Sequence, residues 1–340
     1  MFLESIATAV PPHRYTQPEC LAAFKETPAY AVLNRRSKAL IKAILGSGVS
    51  GISTRSFCMP EIASGVGRSA QELNETFERE APLLAIAALS PALEKAGLRG
   101  EDLDALFVCT CTGYLCPGVT SHVAEKLGLR ETAYLQDLVG LGCGAAIPML
   151  RSAAGFLASN PGAKVATVAV EVCSSAFYAD DDPGVLISLC LFGDGAAATV
   201  WSDVPGEGKW QAGNFTTVHK PEQREKIRFV NAGGKLRNQL DNAVPGLAAE
   251  AVAELYAKRT VEPDRILAHS GGRDVIDALE ALLPLPVSET REVLREHGNM
   301  SSPSVMFALD RALASANGDR RLWLTAFGAG FAAHACEVWR

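Results

Sequence analysis

Two stretches far apart in this chain read alike, and that repetition limits its architecture more than any other feature. Phe192-Gly193-Asp194-Gly195-Ala196-Ala197-Ala198 leads into Val200, and Phe327-Gly328-Ala329-Gly330-Phe331-Ala332-Ala333 leads into the closing apolar segment. Both follow Phe-Gly-x-Gly-x-Ala-Ala ahead of a strand, which points to internal duplication. The 340 residues exceed a typical single domain and suit one double unit. Residues 205–238 between the stretches are polar, rich in Gly and Lys and without clear periodicity; they read as a connection with surface strands. The division falls near residue 203, giving an N-terminal half over 1–203 and a C-terminal half over 204–340.

Composition excludes several classes. Hydrophobic residues make up 48% and charged ones 21%, ordinary for a globular protein with a sizeable core. A net charge of −6 argues against a nucleic-acid partner, which calls for a basic stripe. There is no run of about 20 apolar residues to cross a membrane, and the N-terminus lacks the basic start and apolar core of a secretory signal. Nine cysteines, an odd number, fit reduced thiols in a cytoplasmic protein. Cys109, Cys111 and Cys116 have no matching second cluster, so no zinc site is expected, and there is no dinucleotide or Walker loop.

In chain order, residues 3–10 read as a strand stopped by Pro11-Pro12, and a helix begins over 19–24. Residues 80–96 read as a helix with Gly97 as its C-cap. The apolar run 105–111 reads as a buried strand whose end belongs on a functional face, because open α/β sheets place ligands at strand ends. A helix over 119–127, a strand, and a further buried strand over 164–172 follow. Asp180-Asp181-Asp182 reads as a solvated turn, since three consecutive carboxylates seldom converge on one ion. Arg35, Arg36, Lys38 and Lys42 gather positive charge, either as a solvated helix face or as a landing site for phosphates.

Three residues carry the chemistry. Cys143 sits at the entry to a buried helix, flanked by Gly142 and Gly144, with Ala145 and Ala146 beyond. Little bulk shields the sulfur, and a helix N-terminus favours the thiolate, which is the nucleophile. The opposing reading is an inert buried cysteine. His269 stands at the tip of a strand before Gly271-Gly272, and Asn299 follows Gly298 in a turn ahead of Ser301-Ser302-Pro303, which opens another helix. Singly, each is a turn or strand-end residue; together they form a Cys, His, Asn set at glycine-marked junctions. A hydrolase elbow would need glycine where Leu141 and Ala145 stand, and the papain signature is absent. What remains is a thiolate served by a His and Asn donor pair, suited to negative charge developing on a thioester carbonyl oxygen.

At these residues the chain resembles the thiolase-fold condensing enzymes, and most closely the type III polyketide synthases of chalcone synthase-like kind. The carrying motifs are Gly-Cys143-Gly-Ala-Ala, Leu191-Phe192-Gly193-Asp194-Gly195-Ala196-Ala197, Ala268-His269-Ser270-Gly271-Gly272, Gly298-Asn299-Met300-Ser301-Ser302 and Phe327-Gly328-Ala329-Gly330. The similarity runs from about residue 105 to the end. The resemblance implies an α/β fold of two similar βαβαβαββ halves in α-β-α-β-α layers, paired as a homodimer. It implies that Cys143 takes an acyl group from a coenzyme A thioester. His269 and Asn299 then stabilise the enolate of decarboxylating malonyl-CoA, without metal or redox cofactor. The backbone of Cys143 and the loop of Phe327, Gly328, Ala329 and Gly330 would hold the oxyanion.

The sequence departs from the plant-type pattern in places. Ala326 and Ala329 replace Gly and Pro, and Ser270 replaces the proline after the histidine. Phe177 matches one gatekeeper phenylalanine while Asn238 falls at the other, with Phe192 beside them. Cys111 and Cys116 stand where tunnel-lining Thr and Met are usual. These changes point to aliphatic starters. Coenzyme A contacts are expected from Arg35, Arg36, Lys38 and Arg55 and from Gly271-Gly272. A ketosynthase III-like enzyme using acyl carrier protein and a non-extending acyltransferase are the alternative readings.

Overall fold

The computed structural model describes residues 1–315 and 318–340, the side chains of 64 and 65 left aside. Its strands in chain order are β1 Phe2–Ala9, β2 His13–Thr16, β3 Thr54–Phe57, β4 Ala105–Cys109, β5 Tyr134–Leu138, β6 Lys164–Glu171 and β7 Gly195–Ser202. Then come β8 Gln211–His219, β9 Ile227–Ala232, β10 Lys235–Leu240, β11 Arg265–Ala268, β12 Arg321–Gly328 and β13 Ala332–Trp339. Nine of these form one mixed sheet in the order β11-β12-β13-β8-β1-β7-β6-β4-β5. Read outward from its middle, β1-β7-β6-β4 on one side is mirrored by β8-β13-β12-β11 on the other, with β5 as an added edge.

The two Phe-Gly-x-Gly-x-Ala-Ala stretches lead into β7 and β13, which hold equivalent places. Each lies antiparallel between two neighbours, β7 between β6 and β1 and β13 between β12 and β8. The helices Ala146–Ser159 and Ser304–Ala314 each precede the matching strand, β6 or β12.

Alternation along the strands sorts side chains into layers. On β7, Ala197 and Trp201 face a central core shared with Leu150, Met306 and Leu324. Ala196, Ala198 and Val200 face outward onto Leu84, Ala88 and Leu89 of the Ala70–Ala96 helix. Every residue of β7 is therefore buried, which is why that run carries no charge and is apolar but for Thr199 and Ser202. The Val244–Tyr256 and Arg273–Leu282 helices cover the outer face of the other half. The layers run α-β-α-β-α, the thiolase-like arrangement.

Several local expectations shift. The helix expected over 80–96 begins at Ala70, where Ser69 and Glu72 form a reciprocal capping box, and it ends at Gly97 with φ of 67°. β4 stops at Cys109 because the Cys111 and Thr112 N–H groups donate to Glu171 instead of continuing the ladder. The segment 205–238 is not confined to the surface: β8 lies inside the sheet between β13 and β1, while β9 and β10 make a separate hairpin. In the acidic turn Asp182 caps the Pro183–Leu191 helix, accepting from the N–H groups of Gly184 and Val185. Among the described residues no cluster of side chains could hold a metal ion, and no helix is long and apolar enough to cross a membrane.

Candidate active site

Cys143 lies in a single 3-10 turn, Gly142–Gly144, directly ahead of the Ala146–Ser159 helix. Gly142 has φ of 58°, and a Cβ there would meet the Ala329 amide nitrogen at 2.9 Å. A Cβ on Gly328 would lie 2.7 Å from Gly144 N and 2.8 Å from Cys143 N. The closing loop of one half thus rests backbone against backbone on the nucleophile turn of the other, and only glycine permits it.

His269 extends β11 through its N–H, which donates to Thr325 O at 2.9 Å. Its ring packs edge-on to Phe327, with centroids 5.1 Å apart, and lines the same cavity as Cys143. Asn299 is fixed from both ends. Its Nδ2 donates to Gly271 O at 2.6 Å, and its Oδ1 accepts from Ser301 N at 2.8 Å. Its backbone bridges to Phe192, with Asn299 N donating to Leu191 O and Gly193 N donating to Asn299 O. A side chain on Gly193 or Gly298 would collide with the opposing carbonyl of His297 or Leu191, so both glycines of this crossing are steric requirements.

Beneath the sulfur lies a buried polar layer. Ser301 Oγ is 3.2 Å from Cys143 Sγ, 3.1 Å from Cys111 Sγ and 3.2 Å from Glu171 Oε1. Glu171 is fully buried and also accepts from Ser302, Thr110, Thr112 and the N–H of Cys111. Burial pushes its carboxyl up from the usual range, against those donors. The Cys143 thiol is held well below its ordinary value: a hydrogen bond from Cys111 outweighs burial, with His269 and Ser301 acting in the same direction. Cys111 is pushed up by the same bond and by burial.

Cys143, His269 and Asn299 line one cavity of about 380 Å³. Phe192, Asn238, Gly271, Gly272, Phe327 and Ala329 also line it; Gly328 and Gly330 sit behind the wall. Other expected residues fall elsewhere. Phe177 is turned away into a smaller adjoining cavity and packs on Phe57. Asn238 borders both cavities and is tied to Ser188 Oγ at 2.6 Å. Its directly opposed hairpin partner is Phe229, which lines both cavities too, so an aromatic ring stands beside the amide after all. Cys111 lies below the nucleophile instead of in the cavity wall, and Cys116 is exposed away from it.

The basic positions also need revision. Arg55 is buried, donating to Gln17 and to the carbonyls of Leu189 and Phe192; it braces the segment that holds Asn299 and cannot receive coenzyme A. Arg35 and Arg36 are exposed, and Lys38 is folded onto Ala31 O and the Tyr30 ring, whereas Leu40 and Ile44 of the same helix reach the cavity. The cations that do border the cavity are Arg228 and Arg273. Arg228 closes a mixed run with Lys220, Glu222, Arg224, Glu225 and Lys226, and Arg273 stands beside Asp274, so neither marks a net positive patch in sequence.

Residues 13–226 match the family described as FAE1/Type III polyketide synthase-like protein, and residues 257–339 match 3-oxoacyl-[acyl-carrier-protein (ACP)] synthase III C terminal. The chain is 30% identical over 329 residues to the 3,5-dihydroxyphenylacetyl-CoA synthase of Streptomyces toyocaensis, covering 91% of this chain and 81% of that one. It is 29% identical over 346 residues to the 1,3,6,8-tetrahydroxynaphthalene synthase of Streptomyces peucetius subsp. caesius, covering 97% and 90%. Among solved structures, PKS-I of the brown alga Ectocarpus siliculosus superposes with a TM-score of 0.89 at 25% identity, covering 100% of this chain and 98% of that one. The 1,3,6,8-tetrahydroxynaphthalene synthase of Streptomyces coelicolor A3(2) gives 0.87 at 26%, covering 100% and 99%.

Proposed function

Because the chain belongs to the type III polyketide synthase family of condensing enzymes, we propose that it extends an acyl group held on Cys143 with malonyl-CoA. The Cys143 thiolate attacks the starter thioester and releases coenzyme A. His269 and Asn299 then hold the malonyl thioester oxygen while CO₂ leaves, so that enolate charge forms against fixed donors. The enolate attacks the acyl-cysteine carbonyl, whose oxygen turns toward the Cys143 N–H and the Phe327–Gly330 loop. The thiolate departs, and the chain has grown by two carbons. This reaction draws on no metal or redox cofactor. The single observation that carries the reading is the convergence of Cys143, His269 and Asn299, from three distant junctions, on one cavity.

The starter we favour is aliphatic, because Leu40, Ile44, Leu191, Ile227 and Leu240 supply much of the wall. Arg228 and Arg273 are the proposed contacts for coenzyme A phosphates. The free edge of β5, with Tyr134, Leu135 and Val139 exposed along it, supports pairing as a homodimer. The match of residues 257–339 to carrier-protein synthases favours a second donor, malonyl on acyl carrier protein, as the alternative.

The test is mass spectrometry of products from malonyl-CoA, or malonyl carrier protein, with a panel of acyl-CoAs. Cys143→Ala should abolish loading yet still decarboxylate malonyl-CoA, whereas His269→Ala and Asn299→Ala should lose decarboxylation. Full condensing activity in Cys143→Ala sinks the assignment, and a clear rate advantage for coumaroyl-CoA over a medium-chain acyl-CoA sinks the aliphatic starter.

A further inference from the structure

The condensation proposed above needs one cysteine, yet the site holds two. Cys111 Sγ and Cys143 Sγ hydrogen-bond to the same Ser301 hydroxyl, at 3.1 and 3.2 Å, so one side-chain oxygen holds the two sulfurs as neighbours. Neither sulfur is fixed within a regular element: Cys111 follows the end of β4, and Cys143 lies in the turn before its helix. The nucleophile lines the open cavity, so a small oxidant reaches it by the substrate's path.

Their protonation states are unequal in a useful sense. Cys143 is held toward the thiolate and Cys111 toward the thiol by the bond between them. A thiolate is what attacks a peroxide, and a neighbouring thiol is what resolves the product. Cys109 and Cys173, also buried in this region, have thiols pushed far up by burial and beside Glu171, which leaves them unreactive.

We propose that Cys111 and Cys143 form a dithiol modification site that closes to a disulfide when the enzyme meets a hydroperoxide. In the first step the Cys143 thiolate attacks the peroxide oxygen; the O–O bond breaks, hydroxide or alkoxide leaves, and Cys143 becomes the sulfenic acid. In the second, Cys111 sulfur attacks the Cys143 sulfur. The S–O bond breaks and the Cys111 proton leaves with the hydroxyl as water. Two thiols lose two electrons, and the peroxide gains them. The bridge removes the nucleophile but spares it from irreversible sulfinic acid, and a dithiol reductant restores it. The site goes beyond condensation, and its formation is read by mass whatever substrate the enzyme takes.

The full-length enzyme is treated with hydrogen peroxide and then split into two portions, one given dithiothreitol. In the wild type, intact mass should fall by two hydrogens. Tryptic peptide 100–126 should be joined to 131–151, the link being assigned by fragmentation to Cys111 and Cys143. Dithiothreitol should undo the link and restore free Cys143, counted by iodoacetamide labelling of peptide 131–151. In Cys111→Ser and Cys111→Ala the same peroxide should instead add oxygens to Cys143 that dithiothreitol does not remove. Absence of the linked peptide in the wild type overturns the proposal, with no variant needed. Equal recovery of free Cys143 in wild type and both variants overturns it as well.

Discussion

Ser301→Ala probes the polar layer beneath the nucleophile. The Ser301 hydroxyl has one proton and three neighbours that can accept it, Cys143, Cys111 and Glu171. A hydrogen bond to a charged group contributes about 1.5–3 kcal/mol, and sharing places this one at the lower end. One pKa unit corresponds to about 1.36 kcal/mol, so losing the bond should raise the Cys143 thiol by about one unit. Alkylation of peptide 131–151, whose one cysteine is Cys143, should therefore show its pH midpoint about one unit higher. At pH values below both midpoints the rate should fall about tenfold. An unchanged or lowered midpoint would show that Ser301 does not support the thiolate.

Arg55→Met leaves the carbonyls of Leu189 and Phe192 without their donor, and should cost about 3 kcal/mol in urea unfolding; weakened coenzyme A affinity at unchanged stability would reinstate Arg55 as a phosphate contact. Gly328→Val should lower stability by about 1–3 kcal/mol and abolish acyl loading, because its Cβ would overlap the amides of Cys143 and Gly144; normal loading measured by intact mass would refute this. Burial, aided by His219 and Arg151, holds the His334 ring down to about 4. Below pH 6.5 the unfolded chain takes up a proton that the folded ring refuses, so stability is present above that pH and lost as pH falls toward 4. His334→Gln should remove about 2 kcal/mol of the loss between pH 7 and pH 4.5, and urea midpoints that fall as far as in the wild type would count against it.

The duplication was legible because glycine and alanine at fixed offsets mark a tight approach before a buried strand, and both copies occupy matching strands. Cys143, His269 and Asn299 could be picked out for a related reason, since each sits at a junction where glycine is sterically forced. The start of the Ala70–Ala96 helix was hidden by a run of polar residues, although Ser69 and Glu72 spell its capping box. β8 was read as surface because its alternation is blurred, and its place in the sheet depends on partners at both chain ends. Arg55 offers no sign in sequence that its charge is spent on backbone carbonyls. Phe229 likewise acquires its place beside Asn238 only through the hairpin register. The cysteine pair and Glu171 are joined through Ser301, 130 residues beyond Glu171, and no local pattern reports such a meeting.

β1 occupies the middle of the nine-stranded sheet although most of its partner residues are made far later. Its main partner is β7, and Phe2 pairs with Ser202, so 200 residues must follow before the register can close. At about 5–20 residues per second of synthesis, that wait is on the order of 10–40 s. Throughout it an apolar strand has both edges without partners, and such edges recruit other chains. Until β7 emerges, β1 is therefore a strand with exposed edges, and a chain cut short before residue 195 would hold it without its main partner.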